Sequence, residues 1–122
     1  MELKKLNCKF SVCKVKNIHA IDYTGEFVFI GRTDREVSLV CETQFAPKNV
    51  IEREDGWLGF RIEGQLEFSL IGIIAKISKI LAENQIGIFV ISTYDTDYVL
   101  VKENNYDKAL TILRSSGYHI VE

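Results

Sequence analysis

Two short segments in the second half of the chain carry the groups needed to hold a small charged molecule. The run Ser92-Thr-Tyr-Asp-Thr-Asp97 supplies hydroxyls, turn carbonyls and two carboxylates, which suit an ammonium. Ser69 to Gly72 stands at the start of an expected helix, where unpaired amides and the positive end of the helix dipole suit a carboxylate. Together the two segments offer donors beside acceptors, as a ligand with both charges requires.

Each of these residues also has a structural interpretation. Ser69 can serve as a helix N-cap alone, and Gly72 can serve close packing of a helix against a strand. Asp95 and Asp97 lie in a polar turn, where solvated acids are the ordinary finding. Two carboxylates without further ligands are poor evidence for Mg²⁺ or Ca²⁺. We therefore expect no metal and no other cofactor.

Catalytic residues are not indicated. The imidazoles of the chain are His19, in a loop without periodicity, and His119, in the last expected strand. An acid, a base and an orienting group cannot be assigned from these residues. We therefore predict that the protein is not an enzyme.

The candidate segments need a helix and two strands to position them. Apolar residues at three- and four-residue spacing predict an amphipathic helix that ends near Asn84. The runs Ile86–Ile91 and Tyr98–Val101 predict strands on either side of the polar turn. The helical stripe consists of Leu70, Ile73, Ile74, Ile77, Ile80 and Leu81.

The remaining segments predict further elements. Trp57–Ile62 predicts a strand, and an apolar stripe from Tyr106 to Leu113 predicts a helix that begins near Asn104 and ends at Gly117, before a last strand. From Trp57 onward the order is therefore strand, helix, strand, strand, helix, strand, as in ferredoxin-like folds. Before Trp57 we expect a strand over Leu6–Val12, a loop over Lys16–Gly25, a hairpin of Phe27–Ile30 with Val37–Cys41, two helical turns over Pro47–Arg53 and a turn at Asp55-Gly56.

Composition is that of an ordinary globular protein, with 122 residues, 47% apolar residues and a formal charge of −2. This charge gives no footprint for nucleic acid, and no apolar run approaches the ~20 residues that span a bilayer. Cys8, Cys13 and Cys41 lack the spacing of a zinc or redox motif. We expect buried or half-buried thiols in a cytoplasmic protein that binds neither nucleic acid nor membrane.

The chain also contains an internal repeat. A shift of 61 residues places Ile30 on Ile91, Asp34 on Asp95 and Leu39 on Leu100. The first copy is shorter by about one helix, so it resembles the second unit with its first helix eroded. Trp57–Ile62 could close the first unit, open the second, or lie between them.

These residues resemble the ACT domain family, and more narrowly the tandem-ACT group that includes the CASTOR arginine sensors and short bacterial relatives. The resemblance covers residues 57 to 122 well and is weaker before them, where Arg32-Thr-Asp-Arg-Glu-Val-Ser-Leu-Val-Cys41 carries it. It implies an α+β, ferredoxin-like βαββαβ ACT fold in two units, a degenerate one over 1–56 and a complete one over 57–122. The carrying motifs are Phe68-Ser-Leu-Ile-Gly-Ile-Ile-Ala75, Leu81-Ala-Glu-Asn-Gln-Ile-Gly-Ile-Phe89 and Ile91-Ser-Thr-Tyr-Asp-Thr-Asp-Tyr-Val-Leu-Val101.

The family resemblance implies a non-catalytic regulatory module that binds an amino acid between ACT units, often across a homodimer. An alternative is a protein–protein interaction or homodimerisation module without a ligand, because the apolar runs Phe27–Ile30 and Ile86–Ile91 permit edge pairing. By this resemblance the ligand-binding residues would be Phe68, Ser69, Leu70, Ile71, Gly72, Ile91, Ser92, Thr93, Asp95, Thr96 and Asp97.

Overall fold

The structure is a computed structural model, and it describes residues 1–63 and 72–122. In this part of the chain there are eight strands, two α-helices and two short 3-10 turns, at Ile18–Ala20 and Thr43–Phe45. The elements in order are β1 (Glu2–Lys5), β2 (Phe10–Val15), β3 (Val28–Arg32), β4 (Val37–Glu42), β5 (Glu52–Glu63), α1 (Ile73–Glu83), β6 (Phe89–Ser92), β7 (Asp97–Lys102), α2 (Glu103–Ser115) and β8 (His119–Val121).

Two compact units share these elements. The first, called here the helical unit, contains Met1–Asn7 and Leu58–Glu122. The second, called the hairpin unit, contains Cys8–Trp57. Strand β5 begins in the hairpin unit and ends in the helical unit.

The helical unit has the mixed α+β architecture expected from its order β5-α1-β6-β7-α2-β8. One strand was not expected. Strand β1 lies between β5 and β8, antiparallel to β5 with Leu3 opposite Ile62, and parallel to β8 with Leu3 opposite Ile120. The sheet of this unit therefore runs β6-β7-β5-β1-β8.

The two helices cover one face of that sheet. Ile77 and Leu81 of α1 are fully buried, and Tyr106, Ala109, Leu110 and Leu113 of α2 are buried in the same cluster. The core thus uses the two apolar stripes that the sequence predicts. From the strands it takes Leu3, Phe60, Ile62, Val99 and Val101.

The helices end close to the predicted residues, for partly different reasons. Asn84 terminates α1 with φ −107, and the left-handed conformation falls on Gln85 instead, with φ +58. The Asn84 side chain donates to the carbonyl of Ile80 at 2.8 Å. Gly117 follows α2 with φ +101, as a left-handed C-terminal glycine should.

The hairpin unit is built on β2, β3, β4 and the first half of β5. Strand β4 pairs with β3 on one side and with β2 on the other, and β2 also pairs with β5. Loop residues Ile21, Ala46 and Val50 pack against one sheet face with strand residues Cys13 and Leu39. Short loops therefore cover this face, where the helical unit uses α-helices.

Several predictions for the first half were wrong. The alternation over Leu6–Val12 spans a bend at Asn7-Cys8, so β1 ends before it and β2 begins at Phe10. Residues Pro47–Arg53 are not helical, and β5 already starts at Glu52. The hairpin of β3 with β4 was predicted correctly, and Lys16–Gly25 is a loop, as predicted, with one short 3-10 turn at Ile18–Ala20.

Asp55-Gly56 forms a β-bulge within β5, not the predicted turn. Val12 pairs with Glu54 and Phe10 pairs with Trp57, so Ser11 faces two residues of β5. Gly56 accommodates the extra residue at φ +86. The bulge also brings Asp55 Oδ1 to 2.5 Å from the buried hydroxyl of Ser11.

The two β-hairpins correspond at a shift of 60 residues, one fewer than the sequence repeat suggests. Arg32 pairs with Val37 across the first turn, and Ser92 pairs with Asp97 across the second. The burial patterns of β4 and β7 agree at their first five positions under this shift. Thr33 is therefore the structural counterpart of Thr93. The sequence repeat gave a different shift because it compares residue types, whereas strand pairing depends on the backbone register.

The cysteines are free thiols, as predicted, with Cys13 and Cys41 buried and Cys8 half-buried. Burial raises the pKa of Cys8 and of Cys41 to about 11, with the nearby carboxylate of Glu42 contributing to both. Within residues 1–63 and 72–122, no helix combines the length and the apolar content needed to cross a membrane.

Candidate functional site

The predicted polar turn is a tightly hydrogen-bonded four-residue connection between β6 and β7. The amide of Thr93 donates to the carbonyl of Thr96 at 2.8 Å, and the Thr93 hydroxyl donates to the same carbonyl at 3.0 Å. Ser92 and Asp97 form the last strand pair, and the Ser92 hydroxyl donates to the Asp97 carboxylate. One carboxylate oxygen of Asp97 is thus engaged within the hairpin.

Thr96 attaches this turn to strand β5. Its hydroxyl donates to the carbonyl of Ile62 at 2.7 Å in a partly buried contact. Ile62 stands next to Glu63, from which the chain leads into residues 64–71 and then to α1. The turn therefore lies at the end of β5 that leads toward the start of α1.

Exposure divides the predicted turn residues. Ser92, Thr93 and Asp95 are exposed, while Ile91, Thr96 and Asp97 are half-buried. Tyr94, at the tip, is 84% exposed. The Asp95 side chain faces solvent, whereas the neighbouring Thr96 and Asp97 side chains are held by hydrogen bonds. The turn therefore combines an accessible carboxylate with a backbone that is held in place.

Gly72 marks the beginning of α1 with φ +84. Among the described residues, no atom lies within 4 Å of where a Cβ of this residue would be, so packing against them does not require the glycine. The left-handed backbone does require it, because other residues adopt this conformation at a cost. The first helical bond of α1 runs from the amide of Lys76 to the Gly72 carbonyl at 3.0 Å.

The other predicted residues of this segment, Phe68, Ser69, Leu70 and Ile71, lie outside the described residues. The structure therefore brings together the members on the turn and describes Gly72 at the helix start. The role of these residues in binding stays a prediction.

Arg61, Glu63 and Tyr98 form a polar cluster at the same end of β5, and this cluster was not predicted from the sequence. Arg61 Nε lies 3.0 Å from Glu63 Oε2. The hydrogen bond to Glu63, with a smaller contribution from one to Tyr98, holds the pKa of Arg61 above its usual value. The alternation of Arg61 and Glu63 on one strand was the available signal, since residues two apart share a face.

The described part of the chain contains no cluster of side chains that could coordinate a metal ion. No group of three or more His, Cys, Asp or Glu side chains there could hold a metal ion. The chemistry that the turn and the helix start offer is hydrogen bonding and charge pairing.

Comparison with known proteins identifies the family. The ACT domain profile matches residues 52–115. The crystal structure of protein Atu0741 from Agobacterium tumefaciens is similar over 98% of this chain and 91% of its own, with 35% identity and a TM-score of 0.87. No curated protein matches the chain in sequence.

More distant solved structures share the fold alone. Protein VC0802 from Vibrio cholerae, described as a possible transport protein, has 22% identity and a TM-score of 0.73 over 93% of this chain and 88% of its own. The regulatory subunit of aspartate kinase from Thermus thermophilus has 10% identity and a TM-score of 0.65 over 94% of this chain and 96% of its own. The ACT domain profile matches more than half of this chain, and the Agrobacterium tumefaciens relative is similar along nearly all of it. This chain therefore belongs to the ACT domain family.

Proposed function

We propose that this protein is a non-catalytic, cytoplasmic regulatory sensor that binds a free amino acid and acts as a homodimer. Membership of the ACT domain family supports a regulatory, ligand-binding role. The likeness to a regulatory subunit of aspartate kinase supports the same class. Within the family we place the chain in the tandem-ACT group that resembles the CASTOR sensors, with ACT-like units at 1–56 and 57–122.

The observation that carries the proposal is the bond from Thr96 to the Ile62 carbonyl. It fixes the acceptor-rich turn at the end of β5, and the chain from that end leads to the α1 N-terminus at Gly72. An amino acid needs acceptors for its ammonium close to donors for its carboxylate. The amides of the first turn of α1 would bind the carboxylate, favoured by the helix dipole.

Asp97 is the expected partner of the ligand's ammonium group, although one of its carboxylate oxygens already accepts a hydrogen bond. Ser92 donates to Oδ1 of Asp97, so the ligand would use the remaining lone pairs of this carboxylate. The exposed carboxylate of Asp95 stands two residues away and would add to the negative potential at the turn. A cationic ammonium is therefore favoured over a neutral donor at this position.

The hairpin unit would offer only part of such a site. Its turn repeats the backbone bond of the second one, with the Thr33 amide donating to the Glu36 carbonyl at 2.9 Å. The Ser38 hydroxyl also donates to Glu36 Oε1 at 2.6 Å, although these two residues are not the register counterparts of Ser92 and Asp97. Between β2 and β3 it has only the 3-10 turn Ile18–Ala20, which cannot supply the amides and dipole of a full helix. We therefore propose one amino acid per chain, bound at the helical unit.

The test is thermal unfolding with each of the twenty amino acids in turn, comparing wild type with Asp97→Asn. The asparagine keeps an acceptor for Ser92 and removes the charge, so folding should be preserved. A ligand at 100 times its Kd should stabilise the wild type by ~2.7 kcal/mol, a shift of several degrees. The variant should lose most of that shift.

Glu36→Gln is the matched control, because it makes the same charge change beside Ser38 in the equivalent turn of the hairpin unit. It should retain the full ligand shift. Equal losses in Asp97→Asn and Glu36→Gln, or a shift that survives in Asp97→Asn, would refute the assignment of the ammonium site to Asp97.

The second candidate function is an interaction module without a ligand. Ile30 on β3 is 40% exposed and Tyr94 at the turn tip is 84% exposed, and apolar strand edges favour pairing with another chain. If no amino acid shifts the melting temperature and a dimer in solution dissociates on Ile30→Lys or Tyr94→Lys, this function replaces sensing.

A further inference from the structure

A surface cleft of about 330 Å³ lies in the helical unit, and none of its lining residues belongs to the candidate amino-acid site. One wall comes from α1, through Lys76, Lys79 and Ile80. The opposite wall comes from Gly117 and Tyr118, which follow α2. Met1, directly before β1, completes the cleft. Its volume is at the lower end of the range for small-molecule sites.

Part of the cleft surface is apolar. Ile80 and Tyr118 are partly buried against the core of the helical unit and present their remaining surface to the cleft. Met1 is 51% exposed. An adaptable methionine beside an aliphatic and an aromatic side chain would contact a short hydrocarbon chain or a ring.

The charged side chains that line this cleft, Lys76 and Lys79, are both cationic. Lys76 has no ion-pair partner among the described residues, and Lys79 is paired only loosely with Glu83 at 3.8 Å, with both side chains more than half exposed. Such a pair contributes little and is easily exchanged. The two ammonium groups lie one turn apart on one face of α1 and can both reach one ligand.

The backbone amides of Gly117, Tyr118 and His119 are already engaged within the protein. The Gly117 amide donates to Arg114 at 3.0 Å and the Tyr118 amide donates to Leu113 at 3.0 Å. The His119 amide donates to the carbonyl of Met1 at 3.0 Å. Since these amides are used, charge complementarity to Lys76 and Lys79 is the main polar contribution left for recognition, and it favours an anion.

We propose that this cleft binds a small amphipathic carboxylate, with the anion at Lys76 and Lys79 and the apolar part against Met1, Ile80 and Tyr118. This site is independent of the amino-acid site at the hairpin turn. A competing role for the lysines is to offset the negative end of the α2 dipole, which lies at Ser116 and Gly117. The two roles differ in whether a ligand binds.

The test is a titration of the full chain with hexanoate, followed by amide chemical shifts in NMR spectra. Acetate has the same charge without the chain, and 1-hexanol has the chain without the charge. Hexanoate should cause saturable shifts at Ile80, Gly117 and Tyr118, and both other probes should bind at least about tenfold more weakly. Lys76→Gln with Lys79→Gln should weaken hexanoate by about tenfold.

Lys108→Gln is the control, because Lys108 is exposed on α2 and does not line the cleft. It should leave hexanoate binding unchanged. The proposal is overturned if hexanoate causes no saturable shift, if its shifts map to Gly72 and residues 93–97 instead, or if the double lysine variant binds it like wild type. A lowered melting temperature of that variant with unchanged binding would assign the lysines to the helix dipole.

Discussion

The hydroxyl of Tyr106 donates a 2.6 Å hydrogen bond to the carbonyl of Gly59, in the buried interior of the helical unit. The same carbonyl accepts the amide of Leu6 at 3.0 Å. Tyr106 belongs to α2, Gly59 to β5, and Leu6 to the segment that follows β1. One backbone carbonyl therefore joins a helix, a central strand and the N-terminal segment, which are far apart in the sequence.

Tyr106→Phe should lower the free energy of unfolding by about 1 kcal/mol. The ring stays in the core, and the Gly59 carbonyl keeps the Leu6 amide, so only one buried hydrogen bond is lost. Urea unfolding measures the change, with an unaltered m-value showing that the fold is intact. Tyr23→Phe, at a side chain that is 62% exposed, should change stability by less than about 0.5 kcal/mol.

Alkaline pH should destabilise the wild type more than Tyr106→Phe. Burial, with contributions from Glu122 and Asp107, raises the pKa of Tyr106 from 10.0 to about 12. The raised value means that the folded protein holds this proton more tightly than the unfolded chain. The stabilisation is complete below pH 10 and is lost as the pH rises toward 12.

The size of this loss is at most about 3 kcal/mol for the tyrosine alone. Cys8 and Cys41 contribute a separate loss between pH 9 and 11 by the same reasoning, and they are unchanged in the variant. The difference between wild type and Tyr106→Phe, followed by urea unfolding at increasing pH, isolates the tyrosine. A difference that stays constant above pH 10 would contradict the prediction.

Gly59→Ala should destabilise the protein by about 1–3 kcal/mol, because the interior has no room for a methyl group. A Cβ at this position would lie 2.7 Å from Leu100 Cδ2 and 3.3 Å from the Val99 carbonyl oxygen. Chemical denaturation gives the size of the effect. Gly87→Ala is a matched control, since its Cβ would meet no atom of the described residues within 4 Å and its backbone is not left-handed.

Combination with Leu100→Val tests the cause. Valine lacks the Cδ2 methyl group with which Leu100 crowds Gly59. Gly59→Ala should therefore destabilise the Leu100→Val protein less than it destabilises the wild type, and a double-mutant cycle should show favourable coupling. Additive effects would indicate that the clash with Leu100 is not the source of the destabilisation.

Gly56→Ala should cost about 1–2 kcal/mol through its backbone alone. A Cβ at this bulge would lie more than 4 Å from every other atom that the structure describes outside the neighbouring residues, but φ is +86. Gly56→Asn should cost less than the alanine, since asparagine tolerates left-handed conformations. Equal stabilities of the two variants, measured by thermal unfolding, would show that the conformation of Gly56 does not limit stability.

Periodicity in the sequence was sufficient to predict the elements that pack against one another. The stripes through Ile77 and Leu81 and through Leu110 and Leu113 became the buried faces of α1 and α2. Apolar side chains at helical spacing must be removed from water on one face, whatever the rest of the fold. The turn at 93–96 between two apolar runs follows from the same principle.

Turn chemistry misled the prediction at Asp55-Gly56. A glycine that accepts positive φ serves a tight turn and a β-bulge equally well, so the dipeptide alone does not distinguish them. Only the pairing of Val12 with Glu54 and of Phe10 with Trp57 shows that the strand continues through it. The two hairpins align at a shift of 61 by residue identity and at a shift of 60 by strand pairing. The two values differ because residue identity and backbone register are separate properties.

The sequence by itself determined the two helices, the two hairpins, the candidate turn and the ACT resemblance, because each depends on residues that are close along the chain. Only the tertiary structure decided that Glu2–Lys5 pairs with both β5 and β8, that Thr96 bonds Ile62, and that Tyr106 bonds Gly59. These contacts are made largely through backbone groups, which every residue carries. A long-range hydrogen bond to a carbonyl therefore leaves almost no mark on the sequence, although it fixes where the candidate site stands.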